Sequence, residues 1–238
     1  MHSLRDLRIK LFADGADKNG MLEMYRNPLI KGFTTNPTLM RKAGVTDFEA
    51  FAREVLQAIP DRPISFEVFS DDFGEMERQA KKIAAWGENV YVKIPVTDSK
   101  GESSATLVQH LTTAGIKINV TAVFTLEQVR QVSGALSGGA PAVISVFAGR
   151  IADTGRDPVP LMVESLALVK NSSNVELLWA SPRELLNVFQ ADAMGCHIIT
   201  ATNDILQKLN LVDKDLGEYS LETVVMFRSD AMKANYHL

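Results

Sequence analysis

The chain has 238 residues, 46% of them hydrophobic and 23% charged. That is the balance of a soluble globular protein with one large core, and it excludes a disordered chain or an array of modules. Its 25 Lys and Arg are scattered among 29 Asp and Glu for a net charge of −4, so nucleic acid is not an expected partner, and its single cysteine, Cys196, excludes an internal disulfide or a cysteine-built zinc site.

Short apolar runs rich in β-branched residues alternate along the chain with longer segments of helical period. The first strand is expected at 9–13 and the second at 32–35. Thr46 with Glu49 reads as a capping box opening a helix whose apolar face is Phe48, Phe51, Val55, Leu56 and Ile59. A third strand follows at 64–69. Asp72 with Glu75 opens the next helix, which repeats apolar residues at Phe73, Met76, Ala80 and Ile83 until Gly87 stops it. Further strands are expected at 90–94, 116–121, 142–147, 175–180 and 197–201. Thr125 with Gln128 and Ser181 with Glu184 mark two more helix starts, and a last helix at 221–234 forms a lid or packing arm.

Runs such as Val90-Tyr91-Val92-Lys93-Ile94 and Val143-Ile144-Ser145-Val146-Phe147 are apolar on both faces, as parallel strands covered by helices require. Eight βα units in a length near the norm of about 250 residues predict an α/β fold, a closed (β/α)8 TIM barrel. The barrel is read as a single domain over 1–238. No G-x-G-x-x-G fingerprint follows the first strand, which weakens a dinucleotide-binding alternative. No segment approaches the roughly 18 consecutive apolar residues of a membrane helix, and the N-terminus lacks a secretory signal, so no membrane partner is expected and cytoplasm is the expected location.

Active sites of such barrels form at the C-terminal ends of the strands. The polar residues there are Asp14, Thr34, Asn36, Glu67, Lys93, Asn119, Thr121 and Ser145, with Arg150, Ser181 and Arg183 in the loops after strands six and seven. A lysine within an apolar strand must either bury its amine, which favours the nucleophilic form, or send its head to water along the strand end. Asp14 and Glu67 are acids able to move protons around that amine, or else structural ion-pair partners. Arg150, Ser181 and Arg183 offer donors to an anion where a helix is expected to begin; the bland alternative is a capping serine beside solvated arginines.

Gly32-Phe33-Thr34-Thr35-Asn36-Pro37, Val92-Lys93-Ile94-Pro95, Asn119-Val120-Thr121, Ile144 through Ile151 with its Ser145, Phe147 and Arg150, and Ala180-Ser181-Pro182-Arg183 resemble, in order, the motifs of the transaldolase family. The resemblance covers nearly the whole chain. It implies a class I mechanism with no cofactor and no metal, in which Lys93 forms an imine with a ketose and Asp14 takes the C4 hydroxyl proton. Glu67 and Thr121 would hold the water of imine formation and hydrolysis. Thr34, Asn36, Asn119 and Ser145 would bond the dihydroxyacetone fragment, and Arg150, Ser181 and Arg183 the phosphate of a sugar phosphate.

The family it resembles has two outcomes, transfer of the fragment to an aldose phosphate and release of free dihydroxyacetone. Short length points to the small, aldolase-like subgroup. Glu67 and Phe147 point the other way, since the aldolase type tends to carry glutamine and tyrosine there. A non-catalytic phosphosugar-binding barrel is the third alternative, against which Lys93 and Asp14 both stand intact. Pro182 departs from the apolar or aromatic residue common at its position. The arm over 217–238 resembles the C-terminal helix through which small members associate, so a homo-oligomer is expected.

Overall fold

A computed structural model describes residues 4–236. Eight parallel strands close into a barrel in sequential order. They are β1 (Lys10–Asp14), β2 (Ile30–Thr34), β3 (Ile64–Glu67), β4 (Val90–Pro95), β5 (Ile118–Val123), β6 (Ala142–Val146), β7 (Val175–Trp179) and β8 (Ile198–Ala201). Each overlaps its predicted run, so the (β/α)8 expectation holds. Boundaries move by up to two residues: β2 begins two residues earlier, and β3 stops at Glu67, leaving Phe69 two-thirds exposed at 66%.

The helices are α1 (Lys18–Arg26), α2 (Pro37–Lys42), α3 (Phe48–Ala58), α4 (Phe73–Ala84), α5 (Ala105–Thr113), α6 (Leu126–Leu136), α7 (Ala148–Ala152), α8 (Val159–Val169), α9 (Leu186–Ala193), α10 (Asn203–Leu206) and α11 (Leu216–Lys233). Asp72 caps α4 by accepting from the Glu75 amide, and Thr125 and Gln128 make a reciprocal capping box on α6, both as expected. Two starts differ. Asp47, not Thr46, caps α3, accepting from the Ala50 amide at 3.0 Å, while Glu49 is engaged by Arg53 and Lys82. Ser181 caps nothing: α9 begins five residues later at Leu186.

Two apolar layers build the molecule. One lies between strands and helices and includes Phe33, Phe66, Ile94, Leu111, Ile144 and Trp179, all essentially inaccessible. The other plugs the barrel with Phe12, Val143, Leu178, Ala180 and Ile198. Gly32 makes that plug possible, because a Cβ on it would stand 2.5 Å from the Phe12 ring. With the barrel axis filled by apolar side chains, the buried polar residues Thr34, Lys93, Asn119, Thr121, Ser145 and Thr200 are supplied by the strands around and above that plug.

The last helix of the C-terminal arm, expected at 221–234, runs over Leu216–Lys233. Asp215 caps it. None of its residues is buried, and Leu221, Val224, Val225 and Phe227 stand in solvent. Residues 237 and 238 of the expected arm lie outside the described residues. No helix among the described residues is long and apolar enough to cross a membrane.

Candidate active site

Strand register brings the predicted polar residues side by side above the plug. Asp14 is paired with Thr34, Glu67 with Lys93, Lys93 with Asn119, and Pro95 with Thr121. Residues opposite one another in parallel strands share a face. One barrel interior therefore receives the acids, the lysine and the hydroxyls.

Lys93 is only 5% exposed. Its Nζ donates to the Thr35 carbonyl at 2.8 Å and lies 3.3 Å from Glu67 Oε2. Thr35 is wholly buried, and its hydroxyl donates to the Ser65 carbonyl. The amine is therefore fixed by the backbone just after β2 and a carboxylate from β3, and it does not reach out to water along the strand end. Asp14 lies across the mouth and accepts from Thr34 Oγ1 at 2.7 Å. Burial pushes its carboxyl above the usual range, against the opposing pull of the Lys93 charge and the Thr34 hydrogen bond.

A second network links Ser65, Asn119 and Ser145. Asn119 Nδ2 donates to Ser65 Oγ at 3.1 Å, and Ser145 Oγ donates to Asn119 Oδ1 at 2.7 Å. Thr121 is also buried, yet its hydroxyl has no hydrogen-bond partner among the described residues. It sits at a bulge, where β5 and β6 step from Val120–Ile144 to Val123–Val146 and Ala122 takes a φ of 59°. Such a bulge re-aims a side chain at a barrel rim. The Thr121 hydroxyl is thus available to a water or a substrate oxygen.

Asn36 is placed differently from its expected role. Its Oδ1 caps α2 by accepting from the Leu39 amide at 3.0 Å, so that oxygen is already engaged in the helix start. Phe147 follows β6, packs on Phe124 with ring centroids 5.6 Å apart, and carries the Arg150 guanidinium 5.1 Å above its ring.

Arg150 lies within α7 rather than a loop. The loop after β7 is pressed against this short helix: the Gly149 amide donates to the Ala180 carbonyl, and a Cβ on Gly149 would fall 1.5 Å from the Ser181 carbonyl oxygen. Ser181 itself has a φ of 59°. The expectation that free N–H groups of a helix start would sit beside Ser181 and Arg183 is overturned, because the Arg183 and Glu184 amides both donate to Asn187 Oδ1. The Arg183 side chain makes a two-point ion pair with Asp153.

Thr200 was not among the predicted residues. From β8 its hydroxyl meets Thr34 Oγ1 at 2.6 Å, extending the chain that ends on Asp14. A lone threonine in an apolar strand gives no sequence signal, and its partner is far away in the chain. Cys196 is buried, and burial pushes its thiol up to about 12, in keeping with the inert role expected of it.

The geometry can be set beside known proteins. Residues 11–236 match the family model described as transaldolase/fructose-6-phosphate aldolase. A protein of Thermoanaerobacter named "Probable transaldolase" is 34% identical over 227 residues, covering 95% of this chain and 98% of that one. A protein of the same name from Streptococcus agalactiae is 36% identical over 215 residues, covering 89% and 95%. Among solved structures, an aldolase/citrate lyase family protein from Burkholderia cenocepacia superposes with a TM-score of 0.60 at 12% identity, over 91% of this chain and 95% of that one; at that identity the likeness is one of fold alone. Length, motif order and strand-end chemistry converge on one conclusion: the chain belongs to the transaldolase/fructose-6-phosphate aldolase family, an enzyme of the aldolase and transaldolase class.

Proposed function

We propose that the protein is a transaldolase, moving a dihydroxyacetone unit between sugar phosphates through an imine on Lys93. The observation that carries this reading is an amine 5% exposed, inside the barrel mouth, with Glu67 at 3.3 Å and the Lys93 charge acting on Asp14. Such an amine can attack a ketose carbonyl once its proton passes to a neighbouring carboxylate. Water leaves as the imine forms, and Glu67 and the unpartnered hydroxyl of Thr121 are the groups suited to hold it.

Asp14, whose carboxyl burial pushes above its usual range, is suited to proton transfer. It takes the C4 hydroxyl proton as the C3–C4 bond breaks, and the bond's electron pair flows to the imine nitrogen as the enamine forms. Thr34, Asn36, Asn119 and Ser145 serve the hydroxyls of the three-carbon fragment, and Arg150, Ser181 and Arg183 the phosphate. Donors such as sedoheptulose 7-phosphate and fructose 6-phosphate and aldose phosphate acceptors fit this assignment. It places the enzyme in cytoplasmic carbohydrate metabolism, in the pentose phosphate pathway.

Transfer is preferred over release because Phe147, packed on Phe124, has no hydroxyl to position a hydrolytic water. Release of free dihydroxyacetone, a lyase activity, is the second reading. The exposed apolar helix α11 supports a homo-oligomer.

Incubation with fructose 6-phosphate and borohydride should leave a reduced adduct on the peptide carrying Lys93; its absence there would sink the imine assignment. Adding erythrose 4-phosphate should accelerate consumption of fructose 6-phosphate, whereas equal cleavage without an acceptor would make the enzyme a lyase.

A further inference from the structure

Arg183 is held in an unusual way for a phosphate-binding group. Its Nε donates to Asp153 Oδ1 at 2.8 Å and its Nη2 to Asp153 Oδ2, a side-on, two-point pair. A guanidinium has five N–H donors in a rigid plane. The side-on pair uses two and leaves the Nη1–Nη2 fork, whose Nη1 has no partner among the described residues. Asp153 is the residue that ends α7, its amide donating back to the Gly149 carbonyl at 3.1 Å. Arg150 is three residues before it and also acts on its charge. One carboxylate therefore stands beside both arginines assigned to the phosphate.

The pair does little for stability, since Arg183 and Asp153 are 45% and 50% exposed and such pairs contribute little. What it does is join the helix after β6 to the loop after β7. These two segments already touch at Gly149 and Ser181, where the backbones are too close for any side chain on Gly149. The ion pair is a second tie farther along the same seam. Between the ties lies Pro182, buried and without an N–H donor. The loop is anchored on both sides of that proline, and the long Arg183 side chain is restrained at its guanidinium before any ligand arrives.

We infer that Asp153 is a positioning residue for phosphate recognition: it holds the Arg183 guanidinium by its Nε edge and turns the remaining fork toward the substrate phosphate. The inference rests on the phosphate assignment of Arg150, Ser181 and Arg183 above. It carries a built-in opposition of signs. Removing a carboxylate from beside two arginines raises the local positive charge and by itself would tighten phosphate binding. Loss of a pre-set orientation would weaken it. The loss of orientation is the larger of the two effects.

The test follows consumption of fructose 6-phosphate and of unphosphorylated fructose, each with the same saturating unphosphorylated aldose as acceptor, by wild type, Asp153→Asn, Asp153→Ala and Arg183→Ala, with inorganic phosphate as a competing probe. Asp153→Ala should raise KM for fructose 6-phosphate about tenfold, with kcat within about twofold and fructose kinetics unchanged, and should weaken inhibition by phosphate in parallel. Asp153→Asn, which keeps one acceptor oxygen, should fall between. Unaltered thermal unfolding of both variants is expected from the exposure of the site.

If Arg183→Ala erases the preference for the phosphorylated substrate while both Asp153 variants retain it, or bind it more tightly, the positioning role is overturned and the phosphate assignment stands. If Arg183→Ala leaves the preference intact, the phosphate assignment itself fails, and the role of Asp153 with it.

Discussion

Each mouth of the barrel holds a lysine–glutamate pair, and only one of them is suited to chemistry. At the N-terminal mouth Lys10 reaches both oxygens of Glu176, at 2.8 and 2.9 Å, with the two side chains 50% and 33% exposed. At the C-terminal mouth Lys93 and Glu67 are 3.3 Å apart and only 6% and 16% exposed. The tighter pair is the solvated one, and it does no more than tie two strand ends together. The looser pair is buried, shares its amine with the Thr35 carbonyl, and faces a second acid and an unpartnered threonine hydroxyl. Room is not what separates them: the N-terminal mouth opens on a cavity of about 340 Å³ whose inner wall includes Phe12, Val143 and Ile198. Convergence of buried polar groups distinguishes the site from the space.

Removing each amine in turn separates the two pairs most strongly. Lys93→Met should lower activity on the order of 10⁴-fold or more, and Lys10→Met should leave it within about twofold. Comparable losses in a steady-state assay would show that burial is not what sets Lys93 apart.

The two crowded glycines come next. A Cβ on Gly149 would overlap the Ser181 backbone at 1.5 Å, whereas one on Gly32 would meet the end of the Phe12 ring at 2.5 Å. Backbone cannot give way as a ring can, so Gly149→Ala should lower the melting temperature more than Gly32→Ala and should raise KM for a phosphorylated donor. The reverse order in a thermal melt would place the rigid part of the barrel at the other end.

Asp14→Asn should abolish turnover and yet stabilise the fold. The folded-state pKa of Asp14 is raised by burial, so the folded protein binds its proton more tightly than the unfolded one. Its contribution to stability is full below the unfolded value and is lost as pH rises through the folded pKa. The variant should therefore gain most over wild type at neutral pH and above, with the gain shrinking as pH falls. A melting-temperature difference that grows on acidification would contradict the burial argument.

The smallest effect is expected from Thr200→Val. Thr34 has one hydroxyl proton, which it gives to Asp14, so the 2.6 Å contact is made by the Thr200 proton. Without that donor the Thr34–Asp14 bond weakens. The acid limb of the kcat/KM profile should move to higher pH with modest loss at the optimum, and an unmoved limb would confine Thr200 to packing.

The barrel was legible because parallel strands covered on both faces read as β-branched runs, and because Asp72, Thr125 and Gln128 cap their helices through contacts three residues long. Local rules failed where two candidates competed, as at Thr46 and Asp47, and where the deciding contact came from far along the chain. The backbone of Ser181 is left-handed and packs against Gly149 from the preceding βα unit, and α9 starts only at Leu186. Thr200 and Asp153 went unread for the same reason. Their partners, Thr34 and Arg183, lie 166 and 30 residues away, and neither residue type stands out from its neighbours in the sequence. Lys93, Asp14 and Glu67 stood out because charge in or at the end of an apolar strand is conspicuous, although their chemistry was implied only by the order of the five motifs.

Helix α11 gives the molecule a built-in reporter. An 18-residue helix with no buried side chain among the described residues is held in a lone chain by its Asp215 cap, its own turns and the contacts of Lys214 with Glu222 and Tyr219, and it lacks the tertiary packing from which most helical stability in proteins comes. Its backbone amides should exchange with solvent deuterium on the timescale of fraying, while those of the eight strands wait for global opening. Slow exchange over Leu216–Lys233 would mean that another surface has closed over it. The concentration at which that protection appears would measure the affinity of whatever does so.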